Sequence, residues 1–170
     1  MLFPSLSYPS LKNKINYAVK TKKLITLRRG LYAKDNWNIF EAANKIYSPS
    51  YISLETVLKK EGVIFQEYNT VFLVSYLTRK IKVKNYEVFY RKLKSNILLN
   101  KEGITEENSY AIASCERAFL DCVFLYKNYH FDNLKPLNWE KIKKLTMIYE
   151  SKSLKKRVEE YYQIYKKQSV

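Results

Sequence analysis

Ile46-Tyr47-Ser48-Pro49-Ser50-Tyr51-Ile52-Ser53-Leu54-Glu55-Thr56-Val57-Leu58-Lys59-Lys60-Glu61-Gly62 is the stretch on which the fold turns. An apolar helical run from Ile39 to Ile46 is stopped by Pro49, which lacks a backbone donor and holds Ser48 in extended geometry. Tyr51 and Ile52 read as a short extended piece. Ser53 is the expected N-cap of a second helix, whose apolar side is Leu54, Val57 and Leu58. Gly62 closes that helix as the residue just past its end. Two helices joined by a Pro-fixed corner form one packing unit.

Downstream, the pattern changes from helical to alternating. Thr70–Tyr76 is strand-like, Arg79–Val83 alternates, Lys84-Asn85 makes a turn, and Tyr86–Leu93 alternates again. Tyr86, Val88 and Tyr90 fall on one face and Glu87, Phe89 and Arg91 on the other, so this strand is expected to be covered on both sides. The residues predict a mostly antiparallel sheet of three or four strands. Lys101 to Ser109 reads as a polar loop and Tyr110–Ala113 as a short strand. Ser114 caps an apolar helix built on Ala118, Phe119, Cys122, Val123 and Leu125, the expected core helix. Further helices start near Asn138 and Ser153. Tyr161, Tyr162 and Tyr165 make an aromatic stripe on the last one, read as packing.

Upstream, Pro9 opens a helix running to about Lys22. Leu11, Ile15, Ala18 and Val19 form its apolar face; Asn13, Asn16, Tyr17 and Lys20 form the opposite one, with Lys12 and Lys14 on the flanks. Leu24 to Ala33 then alternates around Arg28-Arg29 and Gly30, a β-hairpin or wing. A helix with an amide-rich face followed by a basic hairpin matches the second half of a winged helix-turn-helix. There Asn13, Asn16, Tyr17, Lys20 and Lys12 would meet bases or backbone, and Lys22, Lys23, Arg28 and Arg29 would meet phosphates. A solvated lysine-rich helix beside an ordinary hairpin is the bland alternative.

Composition narrows the class. The 170 residues are 46% hydrophobic, enough for a real core in one domain with or without a small attached module. The net charge is +15, but only six of 31 basic residues are arginine, a bias an A+T-rich genome produces by itself. Distribution says more. Residues 1–37 carry eight basic and one acidic group, 38–134 carry 13 and 11, and 135–170 carry ten and four. Cys115 and Cys122 lie on one face of an apolar helix and read as reduced core thiols. With a single histidine, His130, no zinc motif can be assembled, and no metal or other cofactor is expected. The start lacks a signal-peptide pattern and no apolar run approaches a membrane span, so the chain is expected to be cytoplasmic, without a membrane partner.

Candidate chemistry is sparse. Asp121 is a carboxylate inside an apolar helix, with Glu116 on the same helix; both read as core carboxylates, partnered by Arg79, Arg91 or Arg117. His130 has no triad spacing, and glycines only at 30, 62 and 103 exclude a phosphate-cradling loop. The expectation is a non-enzyme. A second basic cluster, Arg79, Lys80, Lys82, Lys84, Arg91, Lys92 and Lys94, is interleaved with Tyr76, Tyr86, Phe89 and Tyr90. It reads either as an RNA-binding or adaptor surface spanning 76–94 or as a solvated sheet face.

Three blocks carry a family resemblance. Leu27-Arg28-Arg29-Gly30-Leu31-Tyr32-Ala33, Ile46 to Gly62, and Ala113-Ser114-Cys115-Glu116-Arg117-Ala118-Phe119-Leu120-Asp121 occur in the order found in the AbiEi family of antitoxins and transcriptional regulators. These belong to bacterial type IV toxin–antitoxin (abortive infection) systems. The similarity runs roughly from Tyr8 to Tyr165. It implies an α+β fold: a partial winged helix-turn-helix (recognition helix plus wing) over 1–36, then a mixed α/β antitoxin domain with a small mostly antiparallel sheet over 37–170. Family members carry two more helices before the recognition helix, whereas only Met1 to Ser7 precede Tyr8 here. The implied winged helix is shortened. The implied partners are double-stranded operator DNA and a cognate nucleotidyltransferase-like toxin. Glu116 and Asp121 match the family's carboxylates, which the resemblance does not make catalytic.

Overall fold

A computed structural model of the chain describes residues 7–67 and 69–168. The expected winged-helix piece therefore lies outside the described residues over its first six positions. The described residues form α1 (Tyr8–Lys20), β1 (Ile25–Arg28), β2 (Leu31–Ala33), α2 (Ile39–Ile46), β3 (Ser50–Ile52), α3 (Glu55–Lys60), β4 (Thr70–Ser75), β5 (Arg79–Val83) and β6 (Tyr86–Lys92). There follow α4 (Ser95–Leu98), β7 (Ile104–Glu107), β8 (Tyr110–Ala113), α5 (Cys115–Leu125), α6 (Trp139–Thr146) and α7 (Lys152–Gln168). The fold is mixed α+β.

Local chemistry sets the helix starts. Asn38, Ser114 and Asn138 each accept a backbone N–H of the first turn with their side chains, from Phe40 at 2.7 Å, Arg117 at 3.3 Å and Lys141 at 3.1 Å. Gly62 takes φ +70° just after α3, as a C′ glycine does. Ser53 is not the cap of α3. Its hydroxyl donates instead to Asp121 Oδ2 at 2.8 Å, and Leu54, whose side chain is completely buried, precedes the helix at φ 57°.

The sheet is larger than expected. Besides the antiparallel β1–β2 pair, six strands run β5-β6-β4-β3-β8-β7. The β4–β6 and β3–β8 pairs are parallel and the other three antiparallel, so the sheet is mixed. One of its strands is hidden by composition: β7 lies in the polar Lys101–Ser109 segment, where its glutamates are exposed on an edge. The short extended piece at Tyr51 and Ile52 is β3, which has only three residues and joins the two halves of the sheet.

Register places two rows of side chains on opposite faces. Ile52, Leu73 and Tyr90 align across β3, β4 and β6, and the Tyr90 hydroxyl donates to the Ala43 carbonyl of α2 at 2.7 Å. Tyr51, Val74 and Arg91 align in the neighbouring row, which meets α5: the Tyr51 hydroxyl donates to Asp121 at 3.0 Å. The sheet is thus covered by α2 on one face and by α5 with its neighbours on the other. Tyr90 is fully buried and Phe89 half-buried, as two-sided coverage requires. Leu27 of β1 belongs to the same continuous core, and its carbonyl accepts the Lys84 N–H of the β5–β6 turn at 3.4 Å. Helix α1 contributes no buried residue.

Candidate nucleic-acid interface

Helix α1 is organised by its own sequence. Pro9 sits in the first turn, and the Thr21 hydroxyl and N–H both close on the Tyr17 carbonyl at 2.9 Å. Leu11, Ile15, Ala18 and Val19 are half-buried on one side, while Lys12, Asn13, Asn16, Tyr17 and Lys20 are exposed. Asn13, Tyr17 and Lys20 recur at helical spacing and share the outer face. Lys22 and Lys23 follow in the exposed turn, Lys22 in the left-handed region at φ 57°. Between residues 7 and 34 there are eight basic side chains and no acidic one.

The β1–β2 hairpin separates its two arginines. A β-bulge falls between Thr26 and Arg28, and bulges re-aim the side chains beside them. Arg28 follows buried Leu27 inward: it is half-buried, and its Nη1 is sealed from solvent without a hydrogen-bond partner. Arg29 is exposed. Only Arg29 of the expected pair is open to solvent. Between α1 and the β1–β2 hairpin lies a groove of about 430 Å³ whose walls include Lys12, Asn16, Arg29, Tyr8 and Tyr32. The structure therefore gathers Lys12, Asn16 and Arg29 at one place, and leaves Asn13, Tyr17 and Lys20 on the outer helix face. Tyr8 and Tyr32 were not singled out from sequence. Their signal was available: Tyr8 lies one helical turn before Lys12, and Tyr32 alternates out of phase with Leu31 and Ala33.

The second basic cluster does not form one platform. Cross-strand pairing sets Arg79 opposite Tyr90 on the α2 face, where its guanidinium lies 5.9 Å from the Tyr47 ring. Lys80 and Lys82 occupy the other face, opposite Phe89 and Glu87. The Lys80 ammonium lies 4.9 Å from the Phe89 ring, and Arg91 lies 5.5 Å from Phe89 and 4.6 Å from Tyr126. These cations are already engaged with protein rings. Lys92 is exposed at the strand end.

The two core carboxylates have separate settings. Asp121 is wholly buried and faces Arg117 at 3.6 Å, the partner among the three expected arginines. Tyr51, Ser53 and Tyr149 hydroxyls donate to it at 3.0, 2.8 and 2.6 Å. Burial pushes the Asp121 carboxyl up, and Arg117 pulls against that. Arg117 also donates to the Ile97 carbonyl at 2.7 Å and the Glu102 carbonyl at 3.1 Å, tying α5 to α4 and to the loop before β7. Glu116 meets Lys141 of α6 at 2.8 Å, and although burial raises it, that partner brings its carboxyl below the usual range. Burial also drives the Cys115 thiol up to about 12. Saturated with donors and closed to solvent, Asp121 is placed to lock elements together.

Comparison with protein-family models, with curated proteins and with solved structures finds no match. Among the described residues, no group of three or more His, Cys, Asp or Glu is positioned to hold a metal ion, and no helix is long and apolar enough to cross a membrane.

Proposed function

We propose that the chain is an antitoxin and DNA-binding transcriptional autorepressor of a type IV toxin–antitoxin system of the AbiEi kind. In this reading it is a cytoplasmic non-enzyme. Residues 8–34 grip operator DNA, with Asn13, Tyr17 and Lys20 toward the groove edges and Lys12, Lys23 and Arg29 toward phosphates. Residues 37–170 counteract a nucleotidyltransferase-like toxin.

The observation that carries the DNA half is the charge pattern: seven exposed cations and the half-buried Arg28, without one carboxylate, lie between residues 7 and 34 along α1, the turn after it and the β1–β2 hairpin, the electrostatic footprint of a phosphate-binding element. The alternative, an RNA-binding or adaptor surface on 76–94, is disfavoured because Lys80 and Arg91 are spent on aromatic rings. The sealed Asp121 network speaks for a structural rather than catalytic carboxylate.

A promoter–reporter fusion carrying the region upstream of the gene tests the repressor half. Wild-type protein represses it, and Lys20→Ala/Arg29→Ala relieves repression at equal protein level. Repression unchanged by that variant refutes the assignment. Co-expression with the adjacent gene tests the antitoxin half, which predicts rescue of growth by wild type and by the DNA-binding variant alike.

A further inference from the structure

The groove between α1 and the wing carries a chemistry that duplex DNA does not use. Tyr8 is 79% exposed and Tyr32 37% exposed, and both border the groove beside Lys12, Arg29 and the Asn16 amide. Its volume of about 430 Å³ falls within the ~300–1,000 Å³ of small-ligand sites. In a duplex each base is already stacked on its neighbours, so an exposed tyrosine ring has no base face to meet. In a single strand the base faces are open, and rings next to cations are how proteins hold such strands.

We propose that this groove binds single-stranded nucleic acid, stacking an unpaired base on Tyr8 or Tyr32 and placing flanking phosphates at Lys12 and Arg29. The proposal rests on the reading of α1 and the wing as a nucleic-acid-binding element, and adds the strand state that the groove accepts. Both rings are exposed and outside the core, so replacing them leaves the fold intact; equal thermal midpoints check this.

The full chain is titrated with a labelled oligonucleotide of about 12 residues, a length within known single-strand site sizes, and with the duplex of the same sequence. Tyr8→Ala and Tyr32→Ala are each expected to weaken single-strand binding about tenfold or more, Tyr→Phe at either position to preserve it, and none of these to change duplex binding. Lys12→Ala is expected to lower the salt slope for the single strand by about 0.7. Single-strand binding that the alanine variants leave unchanged overturns the proposal. So does duplex binding without single-strand binding, an outcome under which the repressor reading survives. Binding of neither overturns both. Poly-glutamate that displaces the oligonucleotide equally from wild type and from Tyr8→Ala/Tyr32→Ala marks a site of charge alone, and likewise overturns it.

Discussion

Replacing Asp121 by alanine removes the acceptor around which β3, α5 and the 3-10 turn Met147–Tyr149 are joined. Arg117 then remains fully buried without its carboxylate. Breaking a buried pair in this way costs about 3–5 kcal/mol. The Ser53 and Tyr149 hydroxyls also lose their acceptor, each worth about 1 kcal/mol or more when buried. The total, about 5 kcal/mol or more, approaches the whole stability of many domains, ~5–15 kcal/mol. With a urea slope of about 2 kcal/mol/M, the unfolding midpoint should fall by about 2 M or more. Removing both charges in Arg117→Met/Asp121→Ala should recover part of the loss, giving a coupling of about 1–3 kcal/mol in the double-mutant cycle. Urea titrations of the four proteins measure it. A loss below about 1 kcal/mol for Asp121→Ala, or strict additivity with Arg117→Met, refutes the claim that this pair locks the core.

The bulge that separates Arg28 from Arg29 predicts different consequences for the two. Arg29→Ala should weaken nucleic-acid binding and lower the salt slope by about 1 without changing the melting temperature, whereas Arg28→Ala should change the melting temperature and leave the slope alone; salt-dependent titrations and thermal melts distinguish them. Gly103 holds φ +72°, and a Cβ there would lie 3.1 Å from Arg117 Cβ and 3.2 Å from Leu145 Cδ1. Gly103→Ala should therefore destabilise by about 1–3 kcal/mol in denaturant melts, and an unchanged midpoint contradicts the geometry. Cys115, with its thiol raised to about 12, should be alkylated at pH 8 on the order of a thousandfold more slowly than free cysteine, because the thiolate is the reacting form and burial disfavours it. Its rate should climb with pH well beyond 9 and jump on unfolding in urea; rapid alkylation of the folded protein at pH 8 is the contrary result.

Local signals carried far. The cap at Ser114, the helix start at Asn138, the Gly62 stop and the Lys84-Asn85 turn were all legible, because each depends on side chains within a few residues. The pattern failed where tertiary partners decide. Ser53 looked like a cap, but a carboxylate brought in from α5 claims its hydroxyl. β7 looked like a loop because both of its glutamates point to water from a sheet edge, and edge strands favour charge. Parallel pairing of β4 with β6 joins segments whose order along the chain says nothing of their direction. In the candidate interface the basic residues could be read, but not the bulge that turns Arg28 inward. Nor does linear spacing reveal that Tyr8 and Tyr32, far apart in sequence, border one groove.

DNA binding by α1 and the β1–β2 hairpin, as proposed, is tested by titrating the protein onto a labelled duplex from immediately upstream of its gene. An unrelated duplex is run alongside, both at two salt concentrations. Preferential binding to the upstream duplex is expected, with an affinity that falls steeply with salt as neutralised phosphates release counterions. Equal, weak binding to both duplexes would contradict it and reduce the basic end of the chain to non-specific charge.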